Sequence, residues 1–318
     1  MAHFPSQLNS TVPASAPQAN TIGSALTQLQ PLAAVQDLPQ HQARNLLQEA
    51  WIWRNFGTIR ALLEAKLVDP NSLIFDFEAP EEYFLPILAH ACRRGDTELV
   101  RCLLDHGARS DFWMLAMAFD AGHDDVVRLM AKHVDIDTLE GGISLLHTAC
   151  IRLDQSAVER LIGLGANVKK QTDRGVAPLV LVLSLGAGAD SDRQVAIMTK
   201  LLDAGADIET GFKDLTPLAL ACRDNRIRAL SLLLERGADP NADLGRGVLP
   251  LSMCCDPGVT SEIFIKLVEG GGRIPLSDAL WLIGNGPDVE SARKRVCIIA
   301  AWNGPHHSRP VAKRYFLS

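Results

Sequence analysis

The chain reads as an all-α solenoid of stacked helix–turn–helix units joined by short hairpin loops, and three observations carry that expectation. One segment, 216–241 (TPLALACRDNRIRALSLLLERGADPN), holds two short helices together with their start and stop signals. The same unit recurs along the chain, and a recurring supersecondary unit defines the architecture. Composition agrees: the 318 residues are 47% hydrophobic but only 5% aromatic, which suits an extended stack of small and aliphatic side chains.

Within 216–241, Thr216 is placed to cap a helix whose first turn holds Pro217, a residue lacking an N–H where that donor would be orphaned anyway. Ile227, Leu230, Leu233 and Leu234 form a second apolar stripe at helical spacing, which stops at Gly237, a residue that tolerates a left-handed turn. Asp239, Pro240 and Asn241 then turn the chain. Alignment on that final glycine finds the unit again at 86–108, 113–135, 144–167, 177–207 and 249–271. A helix pair of about 33 residues cannot bury its own apolar face and must stack on a neighbour. Close stacking demands a small residue where helices meet, and that register holds Ala91, Ala118, Ala149, Ala221, Cys254 and Ala279, with Val182 the bulky exception. The next register holds Cys92, Cys150, Cys222 and Cys255, expected as a buried row packing like small hydrophobes rather than a metal cluster. Seven cysteines without zinc-type CxxC pairs also argue against a disulfide framework and for a reducing compartment.

The pattern TPLxxAC…LLLxxGADPN in the fifth unit, SLLHTAC…LIGLGANV in the third and PILAHACRRGDTELVRCLLDHGAR in the first resembles the ankyrin repeat family. Weaker copies at 47–70 and 274–296 look like end caps. The resemblance covers 43–301 as about six repeats plus degenerate capping units, leaving a leader (1–38) and a tail (302–318) outside. It implies a non-enzymatic scaffold that binds an unidentified partner protein through hairpin tips and concave inner helices. In ankyrin proteins the residue after the TPLH tetrapeptide and the third beyond it tend to face the groove. Here those positions are His90 and Arg93, Met117 and Asp120, Thr148 and Ile151, Leu220 and Arg223, Met253 and Asp256. Met117, Ile151, Leu220 and Met253 would make an exposed apolar strip of the kind that marks a partner site.

Departures from the repeat pattern supply further candidates. Repeat two begins at Trp113 instead of Ser or Thr, which places Phe112 and Trp113 near a hairpin tip, where aromatics can anchor a partner or fold back over the junction. Repeat four carries the extra stretch SLGAGADSDR (184–193), an insertion that costs little entropy at a surface. Lys169, Lys170 and Arg174 make one hairpin basic within an acidic protein, and Phe212 and Lys213 occupy the next comparable tip; an acidic partner would fit, as would a solvated charge face.

Charge and the chain ends bound the rest. A net charge of −6 gives no general attraction to nucleic acid. The longest charge-free stretch in the repeats, 176–189, is shorter than the roughly 18 apolar residues of a membrane span and reads as a buried helix. No membrane insertion is expected; the chain is taken as monomeric, cytoplasmic and intracellular. No Asp, Glu, Lys or Arg precedes Asp37, and Ser, Thr, Asn, Gln and Pro dominate the leader, so it is expected to be disordered. It lacks the pattern of a secretory signal peptide. Such leaders are similar to those of type III secreted bacterial effectors, which keeps open a protein secreted into a host cell to bind a host protein. The tail RPVAKRYFLS is similar to the end of a SOCS box, which implies a ubiquitin-ligase substrate adaptor that copurifies with elongin subunits; the expected LPLP is absent, and 297–302 continues a cap helix.

Chemistry-bearing patterns are missing. His147, in a full LLH copy, resembles the family's structural histidine; His306 and His307 stand in the tail without a carboxylate pattern. The GGG at 270–272 follows a helix rather than opening one and cannot aim N–H groups at a phosphate. The GNG at 284–286 links cap helices. There is no GxSxG, HExxH, Walker A or kinase set. No catalytic residue, cofactor or metal site is expected.

Overall fold

The computed structural model describes residues 38–75, 84–185, 192–213, 215–244, 248–254 and 259–273. The leader, the C-terminal cap at 274–296, the tail, most of the extra stretch in repeat four, and Cys255, Asp256 and Ala279 lie outside the described residues. The chain divides into two units, one formed by 1–91 with 96–109 and the other by 92–95 with 110–318.

The first unit starts with α1 (Gln40–Ile52) and α2 (Phe56–Glu64), which pack on each other. Ala43, Leu47, Ala50 and Trp51 share the buried face of α1, and Ile59, Leu62 and Leu63 that of α2. Asn55 caps α2, its side chain accepting the Thr58 amide at 3.1 Å. An element absent from the all-α expectation follows: β1 (Leu73–Phe75) pairs antiparallel with β2 (Phe84–Pro86), Ile74 opposite Leu85. Three-residue strands are marginal alone, so side chains of the neighbouring helices hold them. The Gln48 carboxamide takes the place of a third strand at Phe75, accepting its N–H at 3.0 Å and donating to its carbonyl at 2.6 Å. Ile74 is buried, and its carbonyl faces His90 Nε2 at 3.2 Å. Helix α3 (Ile87–Arg94) continues directly from β2, and α4 (Thr97–Asp105) packs on α2.

In the second unit the described helices are α5 (Phe112–Asp120), α6 (Asp124–Met130), α7 (Leu145–Ile151), α8 (Gln155–Gly163), α9 (Pro178–Ser184), α10 (Asp192–Asp203), α11 (Pro217–Arg223), α12 (Ile227–Glu235), α13 (Pro250–Met253) and α14 (Ser261–Glu269). They form two layers. The inner layer packs α7 on α9, α9 on α11 and α11 on α13; the outer layer packs α8 on α10, α10 on α12 and α12 on α14. Each inner helix also lies on its own outer partner, as α11 does on α12. This is the expected stack of helix pairs. The small-residue register is buried at Ala118, Ala149, Ala221 and Cys254, and so is the bulkier Val182. Cys92, Cys150 and Cys222 are buried free thiols. Burial pushes the Cys92 and Cys150 thiols up to about 12, with Asp111 adding to the effect at Cys92, so neither presents a thiolate at neutral pH.

Local signals act as their chemistry demands. Thr216 Oγ1 accepts the Ala219 amide at 3.2 Å with Pro217 at the first helical position. Gly237 takes φ 89° after α12, a conformation costly for any residue with a Cβ. The Asn241 amide bonds the Asp239 carboxylate at 2.8 Å to close the turn.

Candidate interaction surface

Two sets of side chains could meet a partner: those at the hairpin loops between repeats, and those along the inner helices. The hairpins are held to one another by a repeated bond in which a side-chain acceptor takes a backbone N–H from the following hairpin. In the first unit Asn71 Oδ1 accepts from Arg109 N at 2.8 Å. In the second unit Asp137 Oδ1 accepts from Asn167 N at 2.9 Å, Glu209 Oε1 from Asp239 N at 2.8 Å and Asn241 Oδ1 from Arg273 N at 2.7 Å. Each bond pairs a hairpin amide within the protein instead of with water, and it fixes the tips before any partner arrives.

Repeat two differs from the expectation at its start. Phe112 and Trp113 form the first turn of α5 rather than a hairpin tip, because Asp111 caps the helix, its carboxylate accepting the Met114 amide at 2.9 Å. An Asp immediately before an apolar run was the sequence signal for this cap. Trp113 is 49% exposed, while Phe112 and Met117 are half-buried. Ile151, at the last position of α7, is 44% exposed.

Two of the groove positions are corrected. Leu220 is only 5% exposed, and His90 is fully buried against Ile74 and the Trp51 ring, whose centroid lies 5.6 Å away. The reason at Leu220 is visible in its helix: every residue from Pro217 to Cys222 is buried, because α9, α12 and α13 surround α11. A short helix apolar on all sides presents no free face. The expected strip is therefore interrupted between Ile151 and Met253, the latter half-buried at the end of α13. Arg223 is exposed and engaged by its neighbour, Nε and Nη2 donating to Asp224 at 2.7 and 3.0 Å. Thr148 is half-buried and its hydroxyl bonds the Ser144 carbonyl at 3.3 Å, and Asp120 is exposed.

At the tips, Lys169 and Arg174 are exposed and Lys170 is half-buried. Phe212 is half-buried within a short bridge to Leu215, and the Lys213 ammonium lies 5.2 Å from the Phe212 ring centroid. A cleft of about 60 Å³ sits between the hairpins that follow repeats three and four, lined by the apolar Val168, Ala177, Leu179 and Ala206 and the polar Lys169, Gln171, Asp207 and Thr210.

His147 has a structural environment. Its Nδ1 accepts the Ser144 amide at 3.2 Å and lies 2.8 Å from the Ser144 hydroxyl, so the imidazole proton resides on the buried Nε2. Nε2 has no well-formed hydrogen bond. Burial holds the ring below the usual histidine value, with the backbone of Val176 and Lys170 opposing the effect. Among the described residues no group of three or more His, Cys, Asp or Glu is arranged to hold a metal ion, and no helix is long and apolar enough to cross a membrane.

Comparison with known proteins agrees with this architecture. Residues 88–172 and 146–243 match a family model for ankyrin repeats. The chain is similar to ankyrin repeat and SOCS box protein 16 of Homo sapiens, 29% identical over 171 residues, which is 50% of this chain and 36% of that protein. It is also similar to ankyrin repeat and SOCS box protein 11 of Danio rerio, 29% identical over 141 residues, 44% of each. The chain thus spans less than half the length of these relatives. A solved ankyrin repeat domain from Acinetobacter baumannii AYE superposes with a TM-score of 0.45 at 20% identity, covering 58% of this chain and 98% of that one.

Proposed function

Since this chain is an ankyrin repeat protein, we propose that it binds a partner protein noncovalently through the hairpin loops and the exposed ends of its inner helices, without catalysing a reaction. The observation that carries this reading is the tying of successive hairpins by side-chain to backbone bonds, Asp137 to Asn167 and Glu209 to Asp239. Tips already fixed in place lose little conformational entropy on association. Trp113 and Ile151 would be the apolar anchors; Lys169, Lys170, Arg174 and Lys213 would supply charge at the tips. Phe212, Met117, Met253 and Arg223 remain secondary candidates, each half-buried or already paired.

Proximity labelling in cells that express the chain, followed by binding of each enriched protein to purified variants, tests the proposal. A partner whose affinity falls on Trp113→Ala or Lys170→Glu, at unchanged melting temperature, supports it. Equal binding by both variants for every enriched protein removes those residues from the role.

The names of the two vertebrate relatives favour a second reading, that of a ubiquitin-ligase substrate adaptor. The tail that resembles the end of a SOCS box lies outside the described residues. Copurification of elongin subunits with the full chain, lost when 302–318 is removed, supports it; absence of elongin from the purified complex rejects it.

A further inference from the structure

The hairpins of repeats three to five carry both signs of charge but commit them differently. The carboxylates are used inside the fold: Asp137 takes the Asn167 amide, Glu209 takes the Asp239 amide, and Asp207 takes the Glu209 amide at 2.9 Å and the Thr210 hydroxyl at 2.6 Å. A carboxylate bonded in this way turns toward a neighbouring cation only by giving up those bonds. Lys169, Lys170 and Arg174, by contrast, form no ion pair among the described residues, whereas Arg160, Lys200 and Arg228 on the outer helices and Arg236 just after α12 are each paired to an acid. Against the three cations stand the exposed carboxylates of Glu140 and Asp173, together with Asp207, whose carboxyl is held below the usual range mainly by its bonds to Thr210 and Glu209 and in small part by Lys169. This face is therefore a site of available positive charge on a chain whose net charge is −6.

The cleft of about 60 Å³ opens beside Lys169, with Lys170 and Arg174 on the same hairpin. Val168, Ala177 and Leu179 give it a buried apolar floor, and Lys169 stands at its rim. Its volume corresponds to roughly four water molecules, space for a methyl or isopropyl group. Of the polar side chains that line it, Asp207 and Thr210 are bonded to each other, and Gln171 lies with Lys169 on the preceding hairpin. The apolar floor thus selects what enters by size, while Gln171 and Lys169 offer donors to the groups beside it.

We infer that this cleft and its cationic rim bind an acidic, extended peptide segment that places one short aliphatic side chain in the cleft. The inference rests on the recognition reading above and specifies the chemistry of its partner. Carboxylates on either side of the buried residue meet Lys169 and Arg174, and the apolar contact sets the register between them.

Fluorescein-labelled peptides with a single Ala, Val or Leu set among Glu and Asp test it by anisotropy on the full chain, against the same peptides with Lys and Arg in place of the acids. The acidic Ala and Val peptides are expected to bind, the basic set not, with affinity falling at least about tenfold on Lys169→Glu combined with Arg174→Glu and on raising the salt. Ala206→Leu narrows the cleft and should remove binding of the Val peptide before that of the Ala peptide. Circular dichroism melts confirm that each variant folds. Equal binding of acidic and basic peptides, or indifference to the double charge reversal, overturns the inference. If partners found by proximity labelling depend on Trp113 but not on Lys169 and Arg174, only this inference fails; if they depend on neither, the recognition reading fails with it.

Discussion

Arg160 reaches from α8 back to the preceding repeat and grips Asp124: Nε donates to Oδ1 at 3.0 Å and Nη2 at 2.5 Å. The same Nη2 meets the Phe119 carbonyl at 3.1 Å, and the guanidinium lies 4.4 Å from the Phe119 ring centroid. One side chain thus ties both helices of repeat two to repeat three. The hydrogen bond from Arg160 holds the Asp124 carboxyl below the usual carboxylate range, against the opposing effect of burial. Lysine offers neither the fork nor the stacking plane. Arg160→Lys and Arg160→Ala should both lower the urea midpoint, by an amount equivalent to about 1 kcal/mol, since about a third of each side chain remains exposed to screening. Full rescue by lysine would show that charge alone matters here.

Two glycines at equivalent turns separate backbone strain from steric conflict. Gly122 has φ 85° with open space where a Cβ would sit, so Gly122→Ala should cost about 1 kcal/mol from conformation alone. Gly95 has φ 77°, and a Cβ there would strike the His123 ring, which is fixed by its Nε2 bonding the Arg93 carbonyl at 3.0 Å. Gly95→Ala should cost more than Gly122→Ala in chemical denaturation. At the matching turn of repeat three, Leu153 adopts φ 52°. Leu153→Gly should cost less than removal of a half-buried leucine elsewhere, because it relieves that strain.

Acid should weaken the second unit through His147. Burial depresses its pKa below 6.5, so the unfolded chain binds the proton more readily than the folded one. The stability tied to the neutral ring is complete above pH about 6.5 and declines as pH falls from there through the lower folded value. His147→Gln should flatten the stability–pH curve in that window, measured by denaturant melts at a series of pH values. An unchanged slope would remove His147 as its source.

Core and surface variants should part company. Leu233 is fully buried on α12, and Leu233→Ala should cost about 2–5 kcal/mol. Trp113→Ala and Lys170→Glu should shift stability by no more than about 0.5 kcal/mol. A Trp113→Ala variant that melts as early as Leu233→Ala would place that indole in the core rather than at the surface.

The repeat register, the helix pairs and the burial of Cys92, Cys150 and Cys222 were legible in the sequence, because a unit that stacks on copies of itself meets the same neighbours each time. Caps at Thr216 and turns at Gly237 are local chemistry and were readable for the same reason. The candidate surface was only partly legible. Ile151 is exposed where the pattern nominates it and Trp113 is exposed on the first turn of α5, yet Leu220 is buried although Met117 and Met253 at the same register of their repeats are half-buried. Accessibility at such a position depends on how closely the inner helices on either side approach, and repeat spacing does not encode that distance.

By itself the sequence determined which residues pair into helices and which must be small where those helices touch, since propensity, capping and spacing act over a few residues. The tertiary structure alone decided that Gln48 completes a strand edge at Phe75, that Arg160 bridges two repeats, and that the hairpin carboxylates of Asp137 and Glu209 are bonded to backbone amides of the next hairpin. These are contacts between residues about 30 or more positions apart. Their existence depends on distance and direction in the folded chain, which no local spacing fixes.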